Sequence, residues 1–342
     1  MSSRMTDLWD HTFACHIEPF IGYLARNGRS PRTAEKYRHT LKLFAEMAGD
    51  GAVGSTSATE IDEWLRMWHD VYTKARGRPP SAATYRNHVA ALRSFYSYLE
   101  RFDVLRDAGG RLVGNPMARI IAPAAVQRAN DWLRPPEDRA LLSVSCLPQE
   151  RIFVWFLRWT GLRVGEACSI LVADLDLSPG YESVTVRRSK TAAGNRTVAL
   201  VPELVPQIHQ WLHHSRRRGL CYPSAPLFVT RHGTASKPSY VWRVVKRVAH
   251  RAGVRPVPCT CSKLLAGRHE MGCRRTQSGE NLSEVTPHTL RRTFGSDLLN
   301  RGLRLEVVSQ LLGHATTAVT ERAYAQLMYE TARRELLQVL GH

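Results

Sequence analysis

The sequence predicts a mainly α-helical protein with a small antiparallel β-sheet, divided into an N-terminal helical domain and a larger α+β domain. Apolar residues recur at three- and four-residue steps through most of the chain, the period of helices with one buried face. From Tyr181 that period gives way to two short β-rich runs flanking a polar turn. A stretch with four prolines, GRLVGNPMARIIAPAAVQRANDWLRPPEDRA, separates the two regular parts.

In order, residues 12–28 carry Phe13, Ile17, Phe20, Ile21 and Leu24 at helical spacing, and Gly28 ends that helix. SPRTAEKYRHTLKLFAEMAG opens the next, with Ser30 as N-cap and Pro31 at the first helical position. A third helix runs from about Ala58 to Val71, and a fourth begins near Ser81. These helices make an all-α unit over residues 8–112, followed by a linker over 113–133 and a second domain over 134–342. The second domain starts helical, then YESVTVRR and RTVALVP form a hairpin around SKTAAGN, and helices return to the end.

The charge narrows the function. Across 342 residues, 48 basic side chains face 30 acidic ones, a net charge of +18, with a pI near 10.1. Such an excess predicts a polyanionic partner, and nucleic acid is the usual one. Residues 1–115 hold 16 basic and 13 acidic groups (+3), against 32 and 17 (+15) in residues 116–342, so the second part carries most of the field. The first residues show no apolar leader, and no apolar run approaches the length of a membrane span. Seven cysteines without framework spacing suit a reducing cytoplasm.

Five features carry chemistry. TGLRVGEACSI places Arg163 at a helix start, and RRSKTAAGNRTV places Lys190 near the hairpin tip. HTLRR sets His288 and Arg291 one helical turn apart. LLGH puts His314 directly after a helix-ending Gly313, and Tyr324 follows in VTERAYAQL. Each alone is common in a solvated helix or turn. Together they match the needs of in-line substitution at a phosphodiester. Arginine forks bind the non-bridging oxygens and stabilise developing charge. Imidazoles donate or shuttle protons near neutral pH. A lysine protonates the leaving sugar hydroxyl, and a tyrosine attacks to form an ester that conserves the bond. The guanidiniums supply the positive charge, so this chemistry requires no metal.

The ordered set Arg163, Lys190, His288-x-x-Arg291, His314, Tyr324 resembles the tyrosine recombinase (phage integrase) family. SPRTAEKYRHTLKLF and ATYRNHVAALRSFYSYL are similar to its core-binding domain, so the resemblance covers nearly the whole chain. It implies a SAM-like helical DNA-binding domain and a catalytic domain closing on duplex DNA as a C-shaped clamp. It also implies Tyr324 as the nucleophile of a 3′-phosphotyrosyl intermediate, strand exchange by a homotetramer on synapsed specific sites, and accessory DNA-bending factors in some systems. Integration, excision or transposition of a mobile element are the implied roles. The alternative is a type IB topoisomerase, which uses nearly the same chemistry as a monomer.

Two features depart from the pattern. Ten residues separate His314 from Tyr324, where most relatives have nine. A polar insertion at about 255–286 carries Cys259, Cys261, His269 and Cys273, four ligands of the kinds zinc favours. Cys-x-Cys is tighter than the usual zinc spacing, so a structural zinc site and a basic loop with incidental thiols both remain open. Leu336, Leu337 and Leu340 share a helical face near the end, suited to a neighbouring subunit or to the chain's own domain.

Overall fold

The computed structural model describes residues 13–48, 53–77, 79–107, 110–124, 131–187, 194–214, 217, 219–230, 232–257, 282–321, 323–325, 337 and 340. Lys190 and the four Cys/His residues of the insertion lie outside them, as does Leu336. The chain divides into two compact units, Met1–Gln127 and Arg128–His342.

The first unit is helical. A 3₁₀ turn, Phe13–His16, leads into α1 (Ile17–Arg26), followed by α2 (Pro31–Ala48), α3 (Ala58–Arg76) and α4 (Ala82–Arg101). Ser30, Ser57 and Ser81 each accept a hydrogen bond from the backbone N–H three residues on, which satisfies one orphan donor per helix start. α3 runs five residues past the expected Val71, to Gly77 in the left-handed conformation. Its core is rich in aromatics: Phe13 and Phe20 pack on Phe95 with ring centroids 4.8 and 5.4 Å apart. Met117 and Ile120, within the stretch read as linker, are buried in this core.

The second unit forms around α6 (Pro148–Thr160), preceded by α5 (Pro135–Ser143) and followed by α7 (Val164–Ser169). Ile152, Phe153, Val154, Phe156 and Leu157 are all buried, so α6 is a central helix rather than a surface one. α8 (Val205–Leu212), α9 (Pro238–Arg251) and α10 (Pro287–Asn300) pack around it, and α11 (Leu305–Leu312) packs on α10. The buried Arg158 of α6 forks onto Asp138 of α5 at 2.8 Å and reaches Asp297 of α10 at 3.3 Å.

The sheet is antiparallel with order β1 (Leu175–Asp176), β2 (Ser183–Val186), β3 (Arg196–Ala199), and Val184 pairs with Val198. β2 and β3 are the expected hairpin. β1 was not expected, because a two-residue strand leaves no alternation to read.

One turn ties fold to site. Gly161 ends α6 at φ +61, and a Cβ there would lie 2.3 Å from the Phe294 ring. Only glycine fits both the left-handed backbone and the contact. The turn directs the Gly161 carbonyl and the following Arg163 towards the N-terminal end of α10.

Candidate active site

Arg163 is the N-cap of α7, where the chain leaves its extended conformation to start a helix. Three residues on, Glu166 reaches back and accepts the Arg163 backbone N–H at 2.9 Å and its guanidinium at 2.6 Å. This is the acidic half of a capping box, turned inward. Glu166 is only 4% exposed, and it also accepts Arg196 at 3.2 Å and lies 4.0 Å from Arg291. Burial opposes its charge. The Arg163 N–H and the Arg196 and Arg163 guanidiniums outweigh that and hold the carboxyl below its usual value.

The C-terminus of α11 completes the cradle. Three consecutive carbonyls there each accept one guanidinium: Leu311 from Arg196 at 2.5 Å, Leu312 from Arg291, and Gly313 from Arg163 at 3.1 Å. These are the unpaired carbonyls at the negative end of a helix, a natural place for cations. Gly313 is required here. Its φ is +62, and a Cβ would lie 2.7 Å from the Arg196 guanidinium and 3.1 Å from the Gly194 backbone. Arg291 donates its other arm to the Gly161 carbonyl at 2.7 Å. Burial and the neighbouring Arg163 lower its pKa to about 9, which leaves it charged at neutral pH.

His314 follows Gly313, and its Nδ1 shares a 2.7 Å hydrogen bond with Thr320 Oγ1. Burial, then Arg291, Arg163 and Arg196, push its pKa down to about 4, so the ring is neutral at pH 7. His288, in the first turn of α10, is exposed by surface area although its base is crowded by protein. That desolvation, with Arg292 and Arg291 beside it, lowers its pKa as well. Tyr324 is buried, 1% exposed, and its hydroxyl donates to the Arg292 carbonyl at 3.3 Å. Burial raises the phenol to about 12 against the pull of Arg291 and Arg292.

Five of the six residues singled out in the sequence therefore fall in one unit around one cluster; Lys190 lies outside the described residues, between β2 and β3. Sequence reasoning missed Arg196 and the role of Glu166. Arg196 shares the strand face of buried Val198, and a charge on that face signals a partner.

Residues 132–331 match the phage integrase family model, and residues 17–102 match the phage integrase N-terminal SAM-like domain. The chain belongs to the phage integrase family. A curated relative in this family, the tyrosine recombinase of Pseudothermotoga lettingae, is 25% identical over 308 residues, covering 89% of this chain and 91% of its own. Among solved structures, the Tn1549 transposon integrase in complex with transposon right end DNA matches with a TM-score of 0.67 at 18% identity, over 95% of this chain and 99% of that one. A lambda integrase tetramer bound to a Holliday junction matches at 0.64 and 16% identity, over 92% and 77%. At such identities the likeness is one of fold. Among the described residues, no helix of this integrase-family protein is long and apolar enough to cross a membrane.

The neutral His314 links the site to stability. With a folded pKa of about 4 against 6.5 unperturbed, it refuses a proton that the unfolded chain accepts. Stability is therefore lost as pH falls through that window, and His288 adds in the same direction. Urea unfolding at pH 7.5 and pH 5 should show a smaller acid-induced loss in His314→Asn than in the wild type. An equal loss in both would contradict the assignment.

Proposed function

We propose that the protein is a site-specific DNA recombinase that cleaves and rejoins duplex DNA through a 3′-phosphotyrosyl intermediate. The observation that carries this reading is the guanidinium cluster, fixed by Glu166 and the α11 carbonyls beside two neutral imidazoles, with a buried tyrosine hydrogen-bonded to α10. Arg163, with its side chain 40% exposed, is the fork best placed to meet a phosphate, and Arg291 and Arg196 back it with fixed charge. The developing negative charge on the phosphoryl oxygens then meets donors that need no reorganisation.

In the proposed step the Tyr324 oxygen attacks phosphorus, and its proton passes to a neutral imidazole, His288 being the more open of the two. The P–O5′ bond breaks, and Lys190 protonates the leaving 5′ oxygen. Attack by a 5′ hydroxyl from another strand reverses the sequence and rejoins the DNA. Strand exchange on this scheme uses four copies on two synapsed sites, for integration, excision or transposition of a mobile element. We place the protein with its DNA in the cytoplasm. The net charge of +18 supports a DNA partner.

A nicked duplex that traps the cleaved strand tests the reading. Peptide mapping should find the DNA on Tyr324, and Tyr324→Phe should form no adduct. Arg163→Ala, chosen because this side chain is partly exposed, should cleave at least about 100-fold slower while binding site DNA within a few-fold of wild type. An adduct persisting in Tyr324→Phe, or equal losses of binding and cleavage in Arg163→Ala, would sink it.

For the insertion we propose a structural zinc ion on Cys259, Cys261, His269 and Cys273, with no part in the chemistry. Its support is the donor set, together with an anchored base: Pro256 pairs with Ser283, and the Lys246 ammonium and the His250 ring bind the carbonyls of Ser283 and Leu282. Protein purified without a His tag should carry close to one zinc per chain and lose it in Cys259→Ser and Cys273→Ser. Less than about 0.2 zinc per chain, unchanged in these variants, would leave an unmetallated loop.

A further inference from the structure

The first described residues of the second unit, Asp131 to Leu133, form a strap along α10. The Leu133 backbone N–H donates to Thr293 Oγ1 at 2.8 Å, and Thr289 Oγ1 donates to Asp131 Oδ1 at 3.1 Å. The Trp132 carbonyl accepts from Arg255 at 2.6 Å. Arg255 in turn forks onto Glu137 at 2.8 and 2.9 Å, and its own backbone sits at φ +41. A left-handed arginine is costly, and it persists where the surrounding bonds over-determine it. The strap is thus fixed on both sides of Trp132.

Trp132 itself packs on the small cluster of Phe294, Val308, Leu312 and Tyr324. Its ring lies 6.4 Å from that of Tyr324, with the planes at 34°. On another side of the phenol is Gly295, where a Cβ would come within 2.1 Å of the hydroxyl. Tyr324 thus occupies a pocket bounded by a bare helix backbone and an indole. There its hydroxyl faces the Arg292 carbonyl, and the side chain is 1% exposed. A phenol so placed cannot attack a phosphate on the surface of the cluster without leaving the pocket.

We infer that Trp132 is a positioning residue for Tyr324: the 131–133 strap keeps the nucleophile docked against α10, and release of the strap frees it. This rests on the reading of Tyr324 as the nucleophile. The raised phenol pKa agrees, since a docked tyrosine remains protonated and unreactive until it leaves.

Three variants of the full chain separate this role from simple packing. Trp132→Ala removes the indole, Trp132→Phe keeps an aromatic ring there, and Thr293→Val removes one of the strap's three hydrogen bonds and leaves the indole in place. Hydrogen exchange in the free protein should accelerate over residues 317–325 by at least about tenfold in Trp132→Ala and measurably in Thr293→Val, with α6 unchanged. Trp132→Phe should return it near wild type. At saturating nicked duplex, single-turnover adduct formation should be faster in Trp132→Ala and Thr293→Val, with DNA affinity unchanged. Unchanged exchange over 317–325, or equal acceleration in α6, would overturn the proposal, as would slower adduct formation in Thr293→Val. No Tyr324 adduct even in the wild type would instead overturn the nucleophile reading, and the exchange result would still decide whether the strap docks the residue.

Discussion

The buried carboxylate of Glu166 is the constraint on which the site depends. Three guanidiniums packed together repel one another, and burying two of them, Arg196 and Arg291, without compensation would cost several kcal/mol apiece. Glu166 gives them a shared counter-charge at 4% exposure. It offsets one of three charges. Since His288 and His314 are neutral at pH 7 and Tyr324 is protonated, the cluster keeps a surplus of two positive charges. In the proposed reaction, that surplus is the preorganised charge that electrostatic catalysis requires.

The backbone supplies the rest of the compensation, and it does so through helix ends. α6 stops at Gly161 and α11 at Gly313, both left-handed, and the carbonyls around those stops accept the arginine donors that Glu166 leaves over. The same α11 stop places His314 beside the cluster. A single arrangement therefore terminates two helices, anchors three arginines and positions an imidazole. Small displacements of α11 would act on all of these together, because the carbonyls are consecutive and cannot move independently.

Much of this was legible in the sequence because helix punctuation is a local signal. Thr-Gly-Leu-Arg and Leu-Gly-His mark helix ends, and the structure brings Arg163 and His314, at those ends, close together. Ser30 and Ser81 announced helix starts by the same logic. Arg196 was not legible in that way. Its role comes from strand pairing that brings β3 under α11, a contact between residues more than a hundred positions apart. β1 was too short to show a period. The prolines of 113–133 mark where one regular part ends and the next begins, but not that Met117, Ile120 and Leu133 are buried and Trp132 packs on the tyrosine. Proline restricts local conformation and says little about what the neighbouring apolar side chains will cover.

The central claim, that one buried carboxylate holds the arginine cluster together, is tested most directly by urea unfolding of Glu166→Gln at neutral pH. Gln keeps the size and loses the charge. Removing one partner of a buried ionic network leaves the others uncompensated, so the second unit should lose on the order of 3–5 kcal/mol of stability. A variant within about 0.5 kcal/mol of the wild type would mean that the guanidiniums are held by the carbonyls alone, and would contradict the account.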